Sequence, residues 1–359
     1  YDIVKVEDGR VTFEGDISAV CRANVFLRTA ERVLLQVGRV KATTYDELFE
    51  AVKAMDWEEY IPEDGKFWVK KASSIKSKLF SPSDIQRIVK KAMVEKLKLK
   101  YRVNRFADTG NAYPLRVVFY KDEAIIALDT SGDSLHKRGY RKNTAKAPIS
   151  ETLAAALIML TPWNKDRILV DPFCGSGTFP IEAAMTAANI APGMNREFTA
   201  ENWDNLIEKK LWYDAINEAN DMINDDIEVD IQGYDIDGEV VEFARKNAEL
   251  AGVDHLIHFQ RRPVSELRHS KKYGFIITNP PYGERLEEKE QLPPIYQALG
   301  RQYKALDSWS AFVITSYEDT EKYMGLKATK NRKIYNGMIK TYFYQFMGPK
   351  PPKKKENLR

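Results

Sequence analysis

Ile168-Leu169-Val170-Asp171-Pro172-Phe173-Cys174-Gly175-Ser176-Gly177-Thr178 decides the fold of this chain. An apolar run ends in an acid, a glycine-bearing turn follows, and helical periodicity begins near Thr178. That order reads as a buried parallel strand feeding a helix through a tight turn. Gly175 and Gly177 permit positive φ and let a ligand approach the backbone where a Cβ would clash. The turn departs from two phosphate-binding patterns. Pro180 stands where the third glycine of Gly-x-Gly-x-x-Gly belongs, and no Gly-Lys-Ser/Thr is present.

Working outward, strands are expected at 229–235, 257–260 and 275–277, with helical segments between them. Strands alternating with helices predict a doubly wound α/β sheet. The strand at 229–235 ends in Asp235, where a carboxylate can accept both hydroxyls of a ribose; Asp237 is the fallback. A strand at 310–315 and a hairpin at 333–340 follow, the latter around Asn336-Gly337, a type I′ turn signal. A helix over 151–160 with Ser150 as its cap precedes the deciding strand. The connection 191–228 is long enough to carry its own helix, expected at 206–223, with Arg196 at a substrate mouth or in a structural insertion.

The strand at 275–277 runs straight into Thr278-Asn279-Pro280-Pro281-Tyr282-Gly283. Two prolines remove two backbone donors and fix φ, so the chain leaves the strand rigidly. One amide and one aromatic ring are thereby held at the carboxyl edge of a sheet, where open α/β folds bind ligands. The Asn279 oxygen and the Pro280 carbonyl can accept both hydrogens of a flat exocyclic amine, and the Tyr282 ring can stack on its base.

The chain has 359 residues, 43% hydrophobic and 30% charged, an ordinary composition that can bury a sizeable core. No apolar run reaches the roughly eighteen residues of a membrane span, and none resembles a signal peptide. Cys21, Cys174 and four scattered histidines offer neither metal-ligand spacing nor a disulfide framework, so no metal and a cytoplasmic setting are expected. Cys174 reads as a packing residue rather than a nucleophile. The chain opens at Tyr1 rather than Met, so further native sequence is expected before it. Net charge is only +3, yet basic residues crowd 66–105 and 137–142 while 197–237 is acidic, which hints at a polyanionic partner.

Residues 1–131 read as a mixed α and β region. Strands are expected at 25–29, 33–37, 67–72, 115–120 and 124–129, the last two forming a hairpin over Lys121-Asp122-Glu123. Thr43-Thr44 with Glu47 caps a helix over 45–55, and a basic-faced helix starts at Ser81-Pro82-Ser83-Asp84.

These motifs carry a family resemblance. Asp171 to Thr178 resembles the S-adenosylmethionine turn of class I methyltransferases, and Asn279-Pro280-Pro281-Tyr282 resembles the amino-methyltransferase signature. Trp68-Val69-Lys70, the lysines of 73–81 and the basic helix resemble the THUMP RNA-binding domain, with 1–40 as a ferredoxin-like remnant. Leu135-His136-Lys137-Arg138-Gly139-Tyr140-Arg141 is similar to the entry segment of THUMP-linked methyltransferases. Together they resemble the bacterial 23S rRNA guanine-N2 methyltransferases.

The resemblance implies a THUMP-like domain over 1–131, a substrate-facing linker over 132–147, a class I methyltransferase domain over 148–348 and a disordered basic tail over 349–359. It implies a Rossmann-like seven-stranded sheet closed by an antiparallel hairpin. S-adenosylmethionine would meet Pro148, Thr152, Asp171, Phe173, Gly175, Gly177, Thr178, Asp235 and Ile236, leaving S-adenosylhomocysteine as product. Many relatives carry an acid after the third strand for the adenine amine; Arg261 and Arg262 stand here instead, with Ser265 or a backbone amide as replacement. Asn279, Pro280 and Tyr282 would be catalytic. RNA would meet Lys70, Lys76, Lys78, Arg87, Lys90, Lys91, Arg138, Arg141 and Arg196. Adenine-N6 transfer to RNA or DNA, glutamine-N5 transfer to protein, and a non-catalytic RNA-binding or assembly role stay open. The target nucleotide and the oligomeric state are not fixed by the sequence.

Overall fold

In the computed structural model, residues 1–142, 148–283 and 290–352 are described. The end of the expected linker (143–147) and most of the expected tail (353–359) lie outside the described residues. The chain divides into two compact units, Tyr1–Leu135 with Arg196–Asp221 and His136–Asn195 with Met222–Arg359.

In the first unit, β1 (Asp2–Glu7) and β2 (Arg10–Glu14) form a two-stranded antiparallel sheet. A second sheet has the order β3-β6-β5-β4, built from β3 (Leu34–Lys41), β4 (Lys66–Ile75), β5 (Ala112–Tyr120) and β6 (Glu123–Asp129). The β5–β6 turn places Lys121 and Asp122 at φ 52° and 63°, as a two-residue primed turn demands. The helix Tyr45–Lys53 begins with the expected capping box: Thr44 accepts from the Glu47 N–H, and the Glu47 side chain returns to the Thr44 N–H. Ser81 caps the helix Pro82–Tyr101.

The strand expected at 25–29 is overturned. Residues Ser18–Phe26 form a helix that buries Ala19, Val20, Cys21, Ala23 and Val25. A five-residue stretch with three apolar residues fits either period, and burial of the longer segment decides for the helix.

The second unit is a seven-stranded sheet of order β12-β13-β11-β10-β7-β8-β9. Its parallel members are β7 (Leu169–Asp171), β8 (Ile231–Asp235), β9 (Ile257–Arg261), β10 (Phe275–Thr278) and β11 (Ser310–Thr315). β12 (Lys330–Asn336) and β13 (Ile339–Phe346) close it antiparallel. Helices Glu151–Met159, Thr178–Ala187 and Gly238–Leu250 contribute to one core, while Leu292–Ala305 contributes to a second. Strands buried on both faces explain the near-continuous apolar runs. Ser150 stands at the expected N-cap, though its side chain makes no capping bond. The type I′ reading of Asn336-Gly337 shifts by one residue. Asn336 pairs with Ile339, so Gly337-Met338 is the loop, with only Gly337 at positive φ (60°), the pattern of a type II′ turn.

Residues 196–221, expected within the methyltransferase region, pack with the first unit. Trp203 stacks on Tyr113 at 5.3 Å and its Nε1 donates to the Ala112 carbonyl at 2.8 Å. The inserted helix is Lys209–Asp221, shorter than expected at both ends, and its Glu218 takes both Arg22 Nε (2.7 Å) and Nη2 (2.5 Å).

Candidate functional site

The chain steps from β7 outward to β8 and β9 on one side, and from β10 to β11 on the other. β7 and β10 therefore flank the switch point, where sheets of this kind bind ligands at the carboxyl ends of their strands. Asp171 ends β7 and Thr278 ends β10. Thr278 Oγ1 donates to Asp171 Oδ1 at 2.5 Å across that point, and the Phe173 N–H donates to the same oxygen at 3.1 Å. Asp171 is 1% exposed, and burial pushes its carboxyl up to about 7. The Asp235 charge adds to that shift, and the two hydrogen bonds oppose it.

Asp235 ends β8 one strand away. Its Oδ2 accepts from the Gly175 N–H and its Oδ1 from the Asp237 N–H, each at 3.1 Å. Burial raises this carboxyl above the ordinary carboxylate range, against those two hydrogen bonds. Gly175 sits at φ 51° with nothing within 4 Å of where a Cβ would stand, so the turn is open on that side. Gly177 caps the helix Thr178–Ala187 at φ 90°, and a Cβ there would press on Ala244 at 3.1 Å and on Ile181 and Phe259 at 3.2 Å. Beside Asp235, Ile236 is 67% exposed, an apolar side chain held out at the sheet edge. An acid with spare lone pairs, an open glycine turn and an exposed apolar side chain together fit a nucleoside-bearing cofactor.

Other residues read as cofactor contacts hold the turn from within. Thr178 is buried and accepts from Arg141 Nη2 at 2.9 Å. Thr152 is also buried, while Pro148 and Phe173 are half-buried. Cys174 lies in the core, where burial pushes its thiol far above its ordinary value, so it is no nucleophile.

The Asn-Pro-Pro-Tyr segment leaves β10 beside this turn. Asn279 Oδ1 is buried and has no hydrogen-bond partner among the described residues. Unpaired buried acceptors are uncommon in native proteins, and this one is available to a ligand donor. Tyr296 fixes the segment: its hydroxyl donates to the Pro281 carbonyl at 3.1 Å and pairs with Thr315 Oγ1 at 2.7 Å. Tyr282 is only 8% exposed, and its hydroxyl accepts from Asn336 Nδ2 at 3.4 Å. Its ring is thus largely enclosed, where the sequence reading left it open for a base. Thr278, Tyr296 and Asn336 escaped the sequence reading, because each acts through a partner distant in the chain.

The nine cations read as RNA contacts separate into two groups. Lys76, Lys78, Arg87 and Lys91 are exposed on the first unit. Lys70 is exposed too, but its Nζ donates to the Gly132 carbonyl at 3.1 Å. Lys90 is turned inward: it donates to the Phe67 carbonyl and lies 3.6 Å over that ring, and burial lowers its ammonium. Arg138, Arg141 and Arg196 are engaged by partners within the chain. Arg138 is 2% exposed, 3.5 Å from the fully buried Glu182, which also accepts from the Tyr140 hydroxyl at 3.1 Å. Arg141 pairs with Glu151 at 3.1 Å and donates to the Ile149 carbonyl at 2.7 Å. Arg196 donates to the carbonyls of Ser131, Asp133 and Ser134. Arg138 is buried, while Arg141 and Arg196 are half-buried.

Residues 138–345 match the family described as an RMKL-like methyltransferase domain. Residues 42–129 match the THUMP domain and 1–34 the RlmL ferredoxin-like domain. A Bacillus subtilis (strain 168) protein named as an RNA methyltransferase candidate is 49% identical, over 98% of this chain and 91% of its own. The ribosomal RNA large subunit methyltransferase K/L of Syntrophotalea carbinolica is 33% identical over 93% of this chain, which spans 48% of that longer relative. A solved Listeria monocytogenes chain described as a predicted N6-adenine-specific DNA methylase is 50% identical, with TM-score 0.90, over 96% of this chain and 90% of its own. A methyltransferase candidate solved with S-adenosylhomocysteine is 42% identical, with TM-score 0.89, over 97% and 92% of the two chains.

Proposed function

The chain belongs to the family of RMKL-like methyltransferases, and on that premise we propose that it methylates an exocyclic base amine of RNA from S-adenosylmethionine, with guanine N2 of 23S rRNA as the target. The observation that carries the amine is the buried Asn279 Oδ1, unpartnered among the described residues. A carbonyl oxygen accepts and never donates, so it selects an N–H-bearing target over a ring nitrogen with a lone pair alone.

The chain's own residues mainly supply position. Asn279 Oδ1 and the Pro280 carbonyl take the two amine hydrogens, which orients the nitrogen and favours the positive charge that develops on it. The Asp171–Thr278 bond holds the motif against the glycine turn. Asp235 takes ribose hydroxyls, Gly175 leaves the turn open, and Ile236 offers an apolar face to an adenine ring. When bound, S-adenosylmethionine supplies an electrophilic methyl together with its leaving group. RNA is held through the first unit by Lys76, Lys78, Arg87 and Lys91. A base reaching Asn279 must leave its stack, at a cost of about a few kcal/mol. The relatives named for RNA and for ribosomal RNA support that substrate, as does the THUMP match.

Adenine N6 is the second reading, since it presents the same flat amine and the Listeria chain bears that description. Incubation with labelled S-adenosylmethionine and rRNA, tRNA, DNA or protein separates these outcomes. Label confined to rRNA and released as N2-methylguanosine is expected. N6-methyladenosine selects the second reading, and label on protein or DNA alone overturns both RNA assignments.

A further inference from the structure

The β12–β13 hairpin exposes more than the closing of a sheet requires. Among the described residues β12 is an edge strand, paired only with β13. Lys333 lies opposite Tyr342, and Tyr335 opposite Lys340. Lys333 Nζ stands 5.3 Å over the Tyr335 ring, and Lys340 Nζ stands 5.1 Å over Tyr342. One face of the hairpin is therefore a checkerboard of two ammoniums and two aromatic rings. At the end of the hairpin, Tyr335 is 58% and Met338 97% exposed. Residues 330–340 hold no acid, and Glu318 is the carboxylate that influences Lys340.

Lysines on an edge strand also block unwanted strand addition. That role leaves a bare methionine and tyrosine at the tip unaccounted for, because exposed apolar side chains favour association. Cations alternating with aromatic faces are instead what single-stranded nucleic acid requires, with ammoniums for phosphates and rings for unstacked bases. Position supplies a second argument. Asn336, at the end of β12, donates to the Tyr282 hydroxyl at 3.4 Å, so the hairpin abuts the Asn-Pro-Pro-Tyr motif.

We propose that the β12–β13 hairpin binds the single-stranded RNA flanking the target nucleotide, with bases on Tyr335 and Met338 and phosphates on Lys333 and Lys340. This rests on the RNA reading above and adds where the strand is gripped beside the site. The test uses the full chain and a fluorescent single-stranded oligoribonucleotide, read by anisotropy across a salt series. Tyr335→Ala with Met338→Ala is expected to weaken binding roughly 10-fold or more, since it removes one base–aromatic stack and the apolar contact beside it. Lys333→Ala with Lys340→Ala is expected to lower the slope of log K against log salt by about 0.7 per lysine removed. S-adenosylmethionine affinity, measured by calorimetry, stays at the wild-type value in both variants and reports an intact fold. Wild-type affinity and slope in both variants would overturn the proposal. So would a wild-type chain that prefers duplex DNA or anionic vesicles, or that does not bind the oligoribonucleotide. Methyl transfer from the wild-type chain to RNA, assayed separately, decides the reading on which the proposal rests.

Discussion

Thr278→Val tests whether the bond across the switch point holds the site together. Valine keeps the shape of threonine and removes one donor, leaving Asp171 Oδ1 with the Phe173 N–H alone. A hydrogen bond to a charged group contributes about 1.5–3 kcal/mol, against about 0.5–1.5 for a neutral pair. Asp171 is 1% exposed, so solvent does little to soften the loss. The sign with pH follows from burial. The folded carboxyl titrates near 7 and its unperturbed value is 3.8, so the folded chain holds more protons between those values. Stability therefore falls as pH rises through that window. Thr278 opposes this shift, so its removal raises the folded value further, and the extra loss appears above about pH 7 and fades below it. At about pH 8 the melting transition of the second unit should fall by roughly 4–8 °C, and at about pH 5.5 by roughly half that. Scanning calorimetry at both pH values measures it. Equal drops at the two values, or a drop under about 1 °C at pH 8, would refute the role given to this bond.

Three further outcomes are expected. Asn279→Ala should slow methyl transfer by about 10²-fold or more, as loss of one preorganised polar group does elsewhere, while cofactor affinity in calorimetry barely moves; equal loss of both would sink its role with the amine. Asp235→Ala should weaken S-adenosylmethionine binding about 10–100-fold, the equivalent of one charge-assisted contact, with transfer at saturating cofactor little changed. Arg138→Met strands Glu182 in the core and should cost about 3–5 kcal/mol in urea unfolding, with part recovered by adding Glu182→Gln. A well-folded Arg138→Met chain with an altered salt slope of RNA binding would instead favour a phosphate role for Arg138.

What the sequence made legible was local, and what it hid was distant. The strand, turn and helix around Gly175 and Gly177 could be read because apolar period and glycine placement act over a few residues. The Thr44–Glu47 capping box was legible for the same reason. The interior partners of three arginines escaped that way of reading. In sequence Arg138, Arg141 and Arg196 sit in polar stretches that look solvated, and only the fold brings Glu182 and Glu151 to two of them and a cup of carbonyls to the third. The packing of the insertion 196–221 with the first unit was hidden on similar grounds, since its anchor is Trp203 stacked on Tyr113, a strand residue far away in sequence. Tyr282 joins these cases through Asn336. A motif announces which atoms a site owns, but its burial is set by elements elsewhere in the chain. With the Tyr282 ring enclosed, the base stacking we propose falls to the exposed Tyr335 of the neighbouring hairpin, and the amine contact we propose stays with Asn279.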